Sequence, residues 1–265
     1  MKYIFLLIFA TFSLQAVEII EYKKTPQATL NLHVFKPSNW KANDKRPVIV
    51  FFFGGGWTNG SPKQFYPQSE YFTNLGLVAI SAEYRIKSKH KTSPFESVKD
   101  GKCAIRFVRE KSTELGIDPN RIIASGGSAG GHVAACTAII NGFEESRSKI
   151  SSKPNAMVLF NPALDLTWKE DSQNRFNGKA YLISPNQNLK DKVPPTLVMV
   201  GDKDEATPHK FAEAFKKIME EKGNTCQLKI YKDQPHSFFN SKNPEMFKLT
   251  LMDSEKFLRE IKFID

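Results

Sequence analysis

Apolar residues in this chain come in two textures. Short, nearly continuous runs at Pro47–Phe53, Leu77–Arg85, Ala156–Leu164 and Pro195–Val200 predict strands, the first of them apolar throughout and so covered on both faces. Between them, apolar positions recur at helical spacing. Ser61–Gly76 carries Phe65, Phe72 and Leu75 on one face, and Pro94–Gly116 aligns Val98, Ala104, Ile105, Val108 and Leu115 in a stripe. Ala129–Ile140, Pro208–Lys222 and Pro244–Phe263 predict further helices, and Gln227–Tyr231 a further strand. Near the N-terminus, Val17–Lys23 and Ala28–Phe35 alternate apolar and polar residues around Thr25-Pro26, the pattern of an antiparallel hairpin at a sheet edge. Strands alternating with helices predict an α/β fold, a mostly parallel central sheet with helices on both faces. Residues 37–46 and the basic run Ile86–Thr92 are expected to be loops. Asp165–Lys192, polar and irregular, is long enough for a small lid and too short for a large cap.

Composition narrows the organisation. A length of 265 residues, 40% of them hydrophobic, suits one core and leaves little room for two large domains. Residues 1–16 carry a lysine at position 2, continue apolar and end on Ala16, as a cleaved secretory signal does, so the expected layout is a signal at 1–16 and one catalytic domain at 17–265. The apolar stretch Ile4–Leu14 is too short to span a bilayer comfortably, which predicts a secreted or periplasmic protein without stable membrane insertion. Cys103, Cys136 and Cys226 are too few and too scattered for a disulfide scaffold or a zinc site, and read as small buried hydrophobes. A formal charge of +10 favours anionic partners by long-range steering, although solvating lysines account for it more simply. No basic run is interleaved with aromatics, so nucleic acid is not an expected partner. The chain offers no reading of oligomeric state.

Chemistry enters at Arg121–His132. A short apolar run there leads into Gly126-Gly127-Ser128-Ala129-Gly130, a G-x-S-x-G match, and then into a helix. A sharp strand-to-helix turn lifts a serine hydroxyl clear of the sheet, and glycine-sized neighbours let the backbone pass closely. Gly54-Gly55-Gly56-Trp57 follows directly on a buried strand, where a flexible linker has no place and close approach of N–H groups to a reacting oxygen has. A nucleophilic serine needs a base and an acid that orients it. Of the five histidines, His236 lies in a polar loop after the last strand, where α/β sheets gather their sites; His132, one turn past Ser128, is placed to support the turn. The acid belongs after the strand ending near Val200. Asp202, Asp204 and Glu205 stand there, with Asp204 the choice and Asp202 expected to cap the loop's own N–H groups. The order Ser, Asp, His is that of α/β-hydrolases.

From about Val48 onward the chain resembles an α/β-hydrolase of the carboxylesterase and hormone-sensitive-lipase-like group, and within it the small secreted bacterial acetyl esterases of acetylxylan-esterase type. Gly54–Trp57, Gly116–Ile122, Gly126–Gly131 and the acid and histidine loops carry the likeness. The resemblance implies Ser128 as nucleophile, His236 as general base, Asp204 as its orienting acid, and the N–H groups of Gly55, Gly56 and Ala129 as the oxyanion hole, with no metal or cofactor. Two positions depart from it. Phe53 stands where many relatives have histidine, and Ser237 where they often have glycine. The implied function is hydrolysis of short-chain, acetyl-type esters on a small molecule or polysaccharide. The alternatives are a broader carboxylesterase or lipase, which would want a larger apolar cap than 165–192, and an inactive hydrolase-shaped binding protein, which usually lacks a triad member.

Overall fold

A computed structural model describes residues 17–145, 149–168 and 174–264. The signal segment expected at 1–16 lies outside the described residues, as do positions 169–173 of the lid stretch. Eight strands form one sheet: β1 (Glu18–Lys24), β2 (Thr29–Phe35), β3 (Arg46–Phe52), β4 (Val78–Ala82), β5 (Ile117–Gly127), β6 (Ala156–Phe160), β7 (Thr196–Gly201) and β8 (Cys226–Tyr231). Their spatial order is β1-β2-β4-β3-β5-β6-β7-β8. β2 pairs antiparallel with both neighbours and all other pairings are parallel, so β2 alone runs against the rest. Every residue of β4, β6 and β7 is buried, which requires cover on both faces of the sheet.

The longer helices are α1 (Tyr66–Asn74), α2 (Pro94–Glu110), α3 (Ala129–Ile139), α4 (His209–Glu221) and α5 (Pro244–Glu260). α2 starts where Ser93 and Glu96 form a reciprocal capping box and Pro94 fills the first turn, so three sequence signals set one boundary. The expected helix to Gly116 breaks sooner. α2 ends at Glu110, and a separate turn, Ser112–Leu115, closes on Gly116 at φ 65°. A side chain at Gly116 would meet Trp40 Nε1 and the Lys41 carbonyl at 2.6 Å. The basic stretch read as a loop contains a helical turn, Lys87–His90, held by the Ile86 N–H donating to His90 Nδ1 at 2.9 Å. α3 is buried along its whole length, and its small residues let it lie close against β5.

The end of β4 steadies the glycine loop that follows β3. Asp100 on α2, with no exposed surface, accepts hydrogen bonds from the Arg85 backbone N–H and from its guanidinium at 2.8–2.9 Å, and also pairs with Lys23. That fixes the chain just past Tyr84. The Tyr84 ring stacks on Phe53 with centroids 4.2 Å apart, and its hydroxyl donates to the Phe53 carbonyl at 2.6 Å. A histidine at position 53 is thus replaced by a stacked pair of aromatics, and the loop keeps a brace.

Candidate active site

β5 delivers Ser128 at φ 54°, ψ −119°, as the residue that caps α3. A non-glycine residue there is strained, and strain of this kind persists only where the surroundings enforce it. They do so through crowding. A Cβ at Gly126 would meet the Phe52 carbonyl oxygen at 2.5 Å, one at Gly130 the same atom at 2.0 Å, and one at Gly127 the Phe239 ring at 2.5 Å. The serine N–H donates to the Phe160 carbonyl at 3.0 Å, and the serine carbonyl accepts from His132 N–H at 3.0 Å. The turn therefore has no slack.

The structure brings Ser128, His236 and Asp204 into line. Ser128 Oγ lies 3.0 Å from His236 Nε2, and His236 Nδ1 lies 2.7 Å from Asp204 Oδ2. A carboxylate only accepts, so Nδ1 carries the proton and Nε2 is left to accept the serine hydroxyl. The Asp204 side chain is fully covered, whereas that of His236 keeps 27% of its surface exposed. Burial alone would raise the Asp204 carboxyl, yet the His236 hydrogen bond, the Thr207 N–H and the Thr207 hydroxyl together hold it below the usual carboxylate range. Such a line of groups can remove the serine proton as the oxygen attacks a carbonyl, and can stabilise the imidazolium that results.

The neighbouring carboxylates separate cleanly. Asp204 itself caps the loop: Oδ1 accepts from the N–H groups of Ala206 at 2.9 Å and Thr207 at 2.7 Å. Asp202 does not take the capping part expected of it. Its Oδ1 is buried without a hydrogen-bond partner among the described residues, because the turn after Gly201 directs the loop N–H groups at position 204. Glu205 points into solvent.

Of the oxyanion-hole candidates, Gly56 lines the cleft beside Ser128. Ala129 opens α3, where helical N–H groups lack internal acceptors. Gly54 is excluded from donating to substrate because Gln64 Oε1 takes its N–H. Gly55 at φ 125° and Gly56 at φ 62° need glycine's freedom, and a side chain at Gly55 would strike the Asn59 carbonyl at 2.2 Å. Proline at position 55 would accordingly break the turn as well as delete a donor.

Three partners were invisible to sequence reading. Thr207 bridges Asp204 and the Asn161 carbonyl, its hydroxyl 2.8 Å from Oδ2 and 3.2 Å from Asn161 O; the aspartate-to-threonine spacing of three was the available signal. Asn161, fully buried, holds its Nδ2 within 3.4–3.5 Å of both His236 ring nitrogens. Tyr84 was legible only as the last aromatic of a strand.

His132 serves the site differently from its expected support of the turn. Trp57 Nε1–H donates to its Nδ1 at 3.2 Å, and its Nε2 faces the Ile183 carbonyl at 2.7 Å. It ties the glycine loop to the lid from within α3. Burial pushes its pKa down to about 4, against the pull of the Ile183 carbonyl. The unfolded ring titrates near 6.5, so the stability contributed by the neutral ring is full above about pH 6.5 and shrinks on acidification, by roughly 3 kcal/mol at pH 4. His132→Gln is expected to cost more stability at pH 7 than at pH 4.5, as read from urea unfolding of both proteins at each pH. An equal cost at both would mean that burial leaves the ring's pKa where it is in the unfolded chain.

Ser237 adopts φ 66°, the left-handed backbone that its glycine-bearing relatives would adopt freely. Ser237→Gly is expected to raise stability by about 0.5–1 kcal/mol, a few degrees in Tm, since the strain outweighs the added entropy of the unfolded chain. A lower Tm would place the value of the serine in its side chain.

The cleft over Ser128 has a volume of about 360 Å³, walled by Trp57, Leu164, Leu166, Trp168, Phe176 and Phe211. The lid stretch is less polar in effect than its composition suggests, because Leu166, Trp168 and Phe176 all turn inward to this wall. Among the described residues no three His, Cys, Asp or Glu side chains gather as metal ligands, and no helix is long and apolar enough to cross a membrane.

Residues 32–219 match the BD-FAE family. Among solved structures, a thermophilic esterase of Thermogutta terrifontis, Est2, with propionate bound is 41% identical across 94% of this chain and 96% of its own, with a TM-score of 0.89. The same esterase phosphonylated by sarin is 39% identical, covers 95% and 97%, and has a TM-score of 0.90. Esterase LipQ of Mycobacterium tuberculosis is 29% identical over 216 residues, 72% of this chain and 50% of its own length. The chain thus spans about half the length of the curated relatives it matches, but nearly all of the esterase structures. By that match and this architecture, the chain belongs to the BD-FAE family and has the α/β-hydrolase fold.

Proposed function

We propose that the protein is a serine carboxylic-ester hydrolase for short acyl groups, acetyl above all, carried on carbohydrate. The observation that carries the reading is the Ser128–His236–Asp204 line at the floor of an aromatic cleft. Ser128 attacks the ester carbonyl while His236 takes its proton, and Asp204 keeps the ring in the right tautomer. The N–H groups of Gly55, Gly56 and Ala129 hold the negative oxygen of the tetrahedral intermediate. His236 then passes its proton to the leaving alcohol, and water releases the acyl group by the same route. A relative phosphonylated by sarin suits a nucleophilic residue in such a site, and relatives with propionate or butyrate bound suit a short acyl group. The basic and then apolar character of residues 1–16 supports secretion, which N-terminal sequencing of exported protein would test.

Chain-length dependence tests the acyl reading. Across p-nitrophenyl esters from acetate to octanoate, kcat/KM is expected to fall steeply beyond about four carbons, because a cleft of about 360 Å³ must also house the alcohol. Octanoate turned over as well as acetate would favour a broader carboxylesterase or lipase.

A further inference from the structure

Arg175 stands in the wall of the cleft with Ser128, Gly56 and Trp57. Its Nη1 donates to the Gly56 carbonyl at 3.1 Å, and its guanidinium lies 5.8 Å from the Trp57 ring centre. A guanidinium has five N–H donors, so the bond to Gly56 leaves most of the capacity of this exposed side chain for solvent or a ligand. Among the described residues that line the cleft the one acid is Asp165, and its oxygens already accept hydrogen bonds. Oδ1 accepts from the Thr167 N–H and hydroxyl at 2.7–2.8 Å, and Oδ2 from Gln187 Nε2 at 2.8 Å. No carboxylate lies within ion-pair distance of Arg175 among the described residues. A second cation, the exposed Lys210, sits beside two of the cleft-lining rings, 5.9 Å from the Trp168 ring centre and 5.1 Å from that of Phe211. Trp168 is itself 36% exposed and packs against Phe211 with centroids 5.2 Å apart. Arg175 therefore stands in an aromatic-walled cleft with no carboxylate paired to it among the described residues, and Asp165 is turned to Thr167 and Gln187 instead.

We propose that Arg175, aided by Lys210, selects esters whose alcohol part bears a negative charge, an acylated saccharide carrying a carboxylate or a sulfate. The exposed Trp168 ring takes the apolar face of a sugar ring, and the guanidinium takes the anion through paired N–H donors. The surplus positive charge of the whole chain then acts in the same direction, drawing anionic substrate toward the cleft. This inference rests on the ester-hydrolase reading above and adds the charge of the alcohol to it.

The test measures kcat/KM on three acetylated sugars that differ in charge: acetylated glucose, acetylated glucuronic acid and acetylated glucose 6-sulfate. The native enzyme is expected to prefer one or both charged sugars over glucose by roughly tenfold, the size of one partly exposed charge-assisted hydrogen bond, and to lose that preference in high salt. Whichever charged arm shows the preference identifies the anion. Arg175→Gln is expected to bring the charged-to-neutral ratio to about one, and Arg175→Lys to restore part of it. The ratio is the readout because a general fall in activity, from a loosened Gly56, cancels from it. Equal rates on all three sugars, or an Arg175→Gln enzyme that loses activity equally on all, would overturn the proposal and leave Arg175 a brace for the glycine loop. Failure to hydrolyse p-nitrophenyl acetate at all would instead overturn the ester-hydrolase reading.

Discussion

Ser128→Ala is expected to reduce kcat on p-nitrophenyl acetate by about 10⁶, the loss seen when a serine-hydrolase nucleophile is removed elsewhere, and to leave the fold unchanged. The serine hydroxyl contributes nothing to the packing of the turn. Its backbone does, through the bond to Phe160 and the bond from His132, and alanine keeps both. Alanine tolerates φ 54° no worse than serine, so circular dichroism and Tm should scarcely move. Some rate above the uncatalysed reaction should persist, since the N–H donors and the cleft are untouched. Residual activity within tenfold of native would show that another group attacks the ester.

Asp204→Asn should cost about 10⁴ in kcat, because an amide in place of the carboxylate favours the wrong imidazole tautomer and stabilises no imidazolium. Structure adds a second consequence that sequence did not offer. Oδ1 accepts two loop N–H groups, so asparagine must keep its oxygen toward the Ala206 and Thr207 N–H groups and present its NH₂ to His236, and the Thr207 hydroxyl, which donates to Oδ2, is left only the Asn161 carbonyl. That orientation forces Nδ1 of the ring to accept and Nε2 to carry the proton, toward the serine. Asp202→Asn and Glu205→Gln touch neither contact, and both should stay within a few-fold of native. If Asp202→Asn is the crippled variant, the acid has been misassigned. The pH dependence has a definite sign. A carboxyl held below its unfolded value, about 4, stabilises the fold above that pH and ceases to do so as the pH falls through its folded value. The Asp204→Asn protein should therefore lose less stability than native on going from pH 5 to pH 2.

The parts of this molecule that sequence conveyed well are those set by contiguous residues. Continuous apolar runs conveyed β3, β6 and β7, and the apolar stripe from Pro94 conveyed α2, because burial is written in local patterns. The serine turn was legible for the same reason: its glycines answer to carbonyls that close approach makes unavoidable. Asp204 was legible by position but not by contact. Nothing in the chain told that it caps its own loop while Asp202 goes unpartnered, since both satisfy the same local rule. His132, Tyr84, Asn161 and Arg175 were beyond reach because their partners lie 31 to 119 residues away in the chain. The lid misled by composition, because three of its apolar side chains, Leu166, Trp168 and Phe176, line the cleft.

The contact of Gly126 and Gly130 with the Phe52 carbonyl has a consequence for anyone who would redesign this protein. The serine turn and the end of β3 against which Gly126 and Gly130 press leave no room for even a methyl group. Substrate range cannot be widened from that side, because the first substitution would displace the reacting oxygen. The opposite wall is presented by side chains, at Leu166, Trp168, Phe176 and Phe211, rather than by glycine backbone. A mutant library confined to those four positions can remodel what enters the cleft while the chemistry beneath it stays fixed.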